Sequence, residues 1–253
     1  FSDGNPNNAY VQFEVVPDRL PPQLRDLIAA FPPDTLRLEV GIQTTNNNVA
    51  ARINRRQDQA RSMDNLDFLL AQTRAVLHVD LIFGLPGEDL PSIARGFDTL
   101  WRYQPHEIQL GVLKALPGTT LHRHDHEWGM VYNSQAPYEI MQTSTIPLAL
   151  MDDLKVMAKY WELIANRGRY PQLLQQIMQP AGHAPTNEGP TNDGRASDTP
   201  TNNGHASGPF MRFLRLSRWL YSRLGRTWGI DATLMENLLK EYVQSDSTGI
   251  TLE

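Results

Sequence analysis

The side chains able to do chemistry in this chain recur at every second position of apolar segments. Glu14 stands in Val11-Gln12-Phe13-Glu14-Val15-Val16; Arg37, Glu39 and Gln43 stand in the run from Leu36 to Gln43; His78 and Asp80 stand in the run from Leu77 to Phe83. Carboxylates accept hydrogen bonds from ammonium and hydroxyl groups, and a guanidinium fork holds a carboxylate through two donors. Gathered on one surface, such groups bind a polar ligand. A second concentration is His122, His124 and His126, with Asp125 and Glu127 beside them. On a helix His122 and His126 would share a face at a spacing that can hold zinc. No third ligand accompanies them, so an exposed polar helix is the plainer reading and no metal ligand is assigned. The chain contains no cysteine. That excludes disulfides, thiolate zinc sites and a cysteine nucleophile, and leaves an iron–sulfur cluster without its usual ligands in this chain.

The elements that must position these groups follow from hydrophobic period. Side chains of a strand alternate between faces. Leu38, Val40 and Ile42 therefore oppose Arg37, Glu39, Gly41 and Gln43; Leu77, Val79 and Leu81 oppose His78 and Asp80; Val11, Phe13 and Val15 oppose Gln12 and Glu14. A fourth strand is expected from Ile108 to Ala115, which puts Lys114 on the face of Ile108, Leu110 and Val112 unless a bulge intervenes. Helical patterns separate the strands. One runs from Pro22 to Ala30, with Pro at its start, where its missing N–H costs little. Others run from Val49 to Asn54, from Met63 to Ala71 after Ser62 as cap, and through Ile93, Phe97, Leu100 and Trp101. Strands alternating with helices indicate βα units in a parallel sheet or partial barrel. Helices would cover the apolar faces, and the polar rows would line a wet cleft. An antiparallel sheet with one solvated face is the alternative. The turns Gly84-Leu85-Pro86-Gly87-Glu88 and Pro117-Gly118-Thr119 close the third and fourth strands, at the end where parallel α/β proteins bind ligands.

Beyond the α/β half, residues 150–178 read as helical, with Leu154, Met157, Ala158, Trp161 and Ile164 along one side. Residues 210–224 and 233–243 read as two more helices. Between them, 180–208 contains no Val, Ile, Leu, Met or aromatic residue and repeats Pro-Thr-Asn-x-Gly at Pro185, Pro190 and Pro200. Nothing there offsets the entropy of ordering the backbone, so a disordered linker is expected. Four regions result: 1–130, the α/β half; 131–179, a first helical part; 180–208, the linker; 209–253, a second helical part. From Phe210 to Arg226 a helical wheel groups Phe213, Leu214, Leu220, Tyr221 and Leu224 opposite Arg212, Arg215, Arg223 and Arg226, with Trp219 on the polar side. Docking against the α/β half, a partner groove or an anionic membrane would each suit it.

The chain has 253 residues, 23 Lys and Arg against 28 Asp and Glu, and a formal net charge of −5. That balance argues against nucleic acid as the main partner. No apolar run approaches the ~20 residues of a bilayer span, so none is expected, and the expected location is the cytoplasm.

Three ordered segments carry a resemblance: LEVGIQTTNNNVAARINRRQ (38–57), HVDLIFGLPGED (78–89) and IQLGVLKALPGT (108–119). They resemble the C-terminal half of a radical S-adenosylmethionine (SAM) enzyme, in the style of oxygen-independent coproporphyrinogen oxidase. The block from Gln109 to Tyr138 resembles a subgroup with an N-terminal cobalamin-binding domain and a helical C-terminal domain. The resemblance implies about four units of a (β/α)6 barrel. It implies that Glu14 contacts SAM at its amino group or ribose, that Gln43 and Asp80 reach the ribose, and that Arg55 pairs the methionine carboxylate. Arg37, Glu39 and His78 share the inward row on the substrate side, where ion pairing within the sheet or solvation at strand ends is the competing account.

The family's 4Fe–4S cluster sits on a three-cysteine loop after the first strand. This chain has no cysteine and begins near the third. The resemblance therefore implies a fragment that is inactive alone. Its partners would be the missing N-terminal part of the same polypeptide and a reductant such as flavodoxin or ferredoxin, with cobalamin a further cofactor of the parent. Two rivals stand beside it. One is a non-catalytic descendant that binds SAM or a partner without a cluster. The other is an unrelated (β/α)8-type hydrolase, which requires eight βα units and a close pairing of Glu39 with Asp80.

Overall fold

The computed structural model describes residues 10–179 and 208–247. The expected linker, apart from Gly208, lies outside the described residues. Four strands, β1 (Val11–Val15), β2 (Leu36–Gln43), β3 (Val76–Phe83) and β4 (Glu107–Val112), form one parallel sheet in the order β1-β2-β3-β4. Helices α1 (Pro22–Ala29), α2 (Asn47–Arg52), α3 (Gln59–Gln72) and α4 (Leu90–Tyr103) lie in the connections. The antiparallel alternative is thereby excluded, and consecutive βα units of a partial parallel barrel are what the α/β half contains. A two-stranded antiparallel ribbon, β5 (Val131–Tyr132) and β6 (Ile140–Gln142), follows. Then come α5 (Leu148–Trp161), α6 (Pro171–Met178), α7 (Pro209–Leu224) and α8 (Ala232–Ser247).

In β2 and β3 the alternation is strict: every apolar-row residue is buried, and the other row is half-buried. Glu14, Glu39 and His78 come side by side in register, with Asp80 two residues beyond His78 on the same face. β1 departs from expectation. Its apolar face is uncovered at Phe13, 55% exposed, and Val11, 44% exposed, while Val15 packs half-buried against the core. β1 is an edge strand, and among the described residues only β2 pairs with it.

The start of α3 also differs from expectation. Asp58, not Ser62, is the cap: its Oδ1 accepts from the Arg61 N–H at 3.1 Å. Ser62 lies buried inside the helix and returns its hydroxyl to the Asp58 carbonyl at 2.8 Å. The first turn, Gln59-Ala60-Arg61-Ser62, carries no large apolar side chain, so hydrophobic periodicity starts late there. At α4, Asp89 caps the Ser92 N–H at 2.8 Å, just before Pro91 in the first turn.

The helical region packs into the same core as the sheet. Trp161 meets Phe97 of α4 and Phe213 of α7 edge-on, each at 4.8 Å, and Phe210 meets Phe83 of β3 at 6.4 Å. Such pairs contribute roughly 0.5–1.5 kcal/mol each beyond their burial. α7 is buried on both flanks, which corrects the one-faced wheel: Trp219 is inside, edge-on to Tyr242 at 5.3 Å, with Arg223 over its other ring face. Arg218 pairs Asp153 at 2.7 Å and Arg223 pairs Glu241 at 2.8 Å. The apolar surface that a membrane or partner groove would take is already occupied by α4, α5 and α6. No described helix is long and apolar enough to cross a membrane.

Candidate functional site

Arg55 and Asp80 form the centre of the site. After α2 the chain turns through Asn54, at φ 59°, and the Arg55 N–H returns to the Ala50 carbonyl at 2.7 Å. This aims the guanidinium across β2, where Nη2 donates to the Gly41 carbonyl at 2.6 Å and Gln57 donates to the same oxygen at 3.0 Å. A Cβ at position 41 would collide with Nη2. Any larger residue would push the guanidinium aside, so glycine serves the close approach and not a special backbone angle. Arg55 Nε is buried without a partner among the described residues.

Asp80 reaches across from β3. Its Oδ1 accepts from the Ile42 N–H at 2.9 Å, and the Gln43 N–H also points to its carboxylate. These bonds hold an irregularity in β2: the register slips between Val40 and Gln43, and Gln43 adopts φ 62°. Burial raises the Asp80 pKa above the usual carboxylate value, against the lowering influence of Arg55 and of the backbone N–H groups. Burial lowers the Arg55 pKa, against the fields of Asp80, Asp18 and Glu14. One half-buried cation thus faces three carboxylates, of which Glu14 is the most exposed. Arg55 and Asp80 come together, and Glu14 adds charge from β1. The backbone of Gln43 joins them, and the residue also lines a small crevice with Thr45, Ile82 and Glu88 at the strand ends.

Arg37, Glu39 and His78 lie toward the N-terminal side of the row. Arg37 stacks on the Tyr10 ring at 4.0 Å, and Glu39 accepts from Gln12 at 2.5 Å. His78, with its side chain 11% exposed, sits between Gln109 at 3.3 Å and Glu107 at 3.5 Å. Their partners lie within the sheet and its edge. Among the described residues Glu39 makes no hydrogen bond to Asp80, and four parallel strands are present.

Two acidic residues went unnoticed in the sequence. Asp18 follows β1 in a Pro17-Asp18 turn; its Oδ2 accepts from the Asp58 N–H at 3.1 Å, and Oδ1 is buried without a partner among the described residues. Its place just past a strand end was the available signal. Glu88, only 3% exposed, accepts from Thr44 Oγ1 at 2.6 Å and Ser92 Oγ at 3.2 Å. Burial pushes its pKa up to about 7 despite both hydroxyls. It ties the end of β2 to the start of α4. Thr145 reaches its carbonyl at 2.7 Å from the segment laid over the strand ends.

The histidine segment is a 3-10 turn rather than an α-helix. His122 pairs Asp125 at 2.9 Å, and His124 lies 2.9 Å from the Arg52 carbonyl. No group of three or more His, Asp and Glu among the described residues is arranged to hold a metal ion.

The family described as "Protein of unknown function (DUF4080)" matches residues 126–186. No curated protein matches the chain. Among solved structures it is similar to coproporphyrinogen III oxidase (HemN) from Escherichia coli, described as a radical SAM enzyme, at 20% identity and a TM-score of 0.42, over 57% of this chain and 31% of that one. It is also similar to TsrM from Kitasatospora setae, a radical S-adenosylmethionine methyltransferase solved with tryptophan substrate and a SAM analog, at 10% identity and a TM-score of 0.35, over 57% of this chain and 23% of that one. The chain therefore spans less than a third of the length of either structure.

Proposed function

We propose that this chain supplies part of the SAM-binding site of a radical SAM enzyme. The observation that carries the reading is Arg55 held over Gly41 beside Asp80, with a buried Nε left without a partner. SAM carries a carboxylate, an ammonium, a sulfonium and a ribose diol. Arg55 would take the carboxylate, Asp80 and Gln43 the ribose hydroxyls, and Glu14 the ammonium or ribose. The sulfonium would gain from the surplus of carboxylates around Arg55.

In such a parent enzyme a 4Fe–4S cluster, with flavodoxin or ferredoxin as reductant, would supply the electron for reductive cleavage of SAM. This chain has no thiolate to hold that cluster. Its ligands would have to come from a further part of the parent polypeptide, and cobalamin would be a further cofactor of that parent. The bare edge of β1, with Val11 and Phe13 uncovered, suits pairing with those additional strands. The absence of cysteine favours a second reading, a descendant that binds SAM or a partner without radical chemistry.

Titration of S-adenosylhomocysteine into the 15N-labelled chain tests the assignment. The expected result is a saturable shift of the Arg55 Nε–H and of the Gly41, Ile42 and Gln43 amides, abolished in Arg55→Ala. Resonances that stay in place at those positions would overturn it.

A further inference from the structure

Beside Asp80 the polar face of the sheet opens into a second compartment. In register, Gln109 of β4 neighbours Asp80 of β3. From Gln109 and Gly111 a groove of about 570 Å³ extends to the flank of α5. Its charged wall is formed by Lys114, Lys155 and Lys159. Leu113 is buried, and Lys114, one residue on, is exposed where a backbone bridge pairs it with Glu139.

The charges in the groove are not balanced. Lys155 pairs Glu139 at 3.6 Å. Glu162, the other acid of the lining, faces Arg167 at 3.5 Å and accepts from Asn166 at 3.1 Å. Neither Lys114 nor Lys159 has a carboxylate partner among the described residues. Lys155 and Lys159 stand one turn apart on α5, a spacing at which like charges repel. Ammonium groups brought together in a chain of net charge −5 make a focused positive field. Gly111 keeps the floor open, since it places no side chain between Gln109 and Leu113.

We propose that this groove binds an oxyanion, a carboxylate or phosphate of the substrate, through Lys114 and Lys159, with Lys155 shared between that anion and Glu139. Its place in a reaction rests on the SAM reading above; its ligand chemistry does not. Substrate anchored here would lie next to Asp80 along the same row, so the class of substrate is acidic.

Citrate and, separately, pyrophosphate titrated into the 15N-labelled full chain test the site, with the Gly111 to Lys114 amides as readout. Saturable shifts are expected, weakening as salt rises. Lys114→Gln and Lys159→Gln should each weaken binding about fivefold, as loss of an exposed charge contact does. Both positions are exposed, so neither change threatens folding. Glu139→Gln frees Lys155 and should tighten binding. The probe bound more tightly assigns carboxylate or phosphate. Shifts that never saturate, or affinities unchanged in the double lysine variant and in Glu139→Gln, overturn the proposal. The Gly41 to Gln43 amides report SAM-site failure separately, because they lie on another strand.

Discussion

Arg55 Nη2 donates to the carbonyl of Gly41 at 2.6 Å, across the space that any side chain at residue 41 would fill. The two residues are therefore coupled: the glycine is required only while the arginine is there. Gly41→Ala should push the guanidinium aside and destabilise the chain by about 1 kcal/mol, the usual worth of the hydrogen bond it would lose. In an Arg55→Ala background the same change should cost far less. Urea denaturation of the four members of this cycle measures the coupling, and additive effects would show that Gly41 is needed for some other reason.

Glu88 makes stability depend on pH. Its folded pKa is about 7 against an ordinary 4.5, so the folded state holds the proton more tightly than the unfolded state. The stabilisation is complete below about pH 4.5, declines as pH rises, and is lost above about pH 7. The span is about 3 kcal/mol. Glu88→Gln keeps a partner for the Thr44 and Ser92 hydroxyls and removes the titration. Thermal melts from pH 4 to pH 8 should show the variant gaining on the native chain as pH rises. Parallel profiles would mean that Glu88 stays ionised inside.

The burial of Glu88 was not legible in the sequence and Asp18 offered only its place past a strand end, whereas the sheet was largely legible. β2 and β3 carry period-2 alternation along their whole lengths, so the face shared by Glu39, His78 and Asp80 could be read directly. Arg55 lies outside any strand, and only the family resemblance singled it out. Glu88 occupies an ordinary Gly-Leu-Pro-Gly-Glu turn, and its burial is completed by Thr145, distant in sequence. No local pattern records that. Trp219 was misplaced for a related reason: a helical wheel assumes one buried face, and α7 has neighbours on both flanks. The backbone bridge between Lys114 and Glu139 likewise joins residues distant in sequence.

The outer edge of β4 is closed by side chains rather than by a strand. Trp161 Nε1–H donates to the Ile108 carbonyl at 2.7 Å, and Asn166 adds a second donor at 3.2 Å from the π turn Glu162–Asn166 that follows α5. Trp161→Phe keeps most of the aromatic packing and removes the stronger donor. The expected loss is about 1–2 kcal/mol, from the bond itself and from a carbonyl left less satisfied. Denaturant titration checks this, and a loss near zero would show that Asn166 alone suffices.

β1 exposes the opposite edge of the sheet together with an apolar face. Phe13 at 55% exposure contributes little to the fold of this chain, so Phe13→Lys should change stability by less than about 0.5 kcal/mol. Its effect should fall on association instead. An open edge strand with apolar side chains pairs with other edges, and a lysine placed there opposes that pairing. Sedimentation velocity over a concentration series should show self-association of the native chain that Phe13→Lys suppresses. Equal behaviour of the two proteins, or a large stability loss in the variant, would show that β1 is covered in solution.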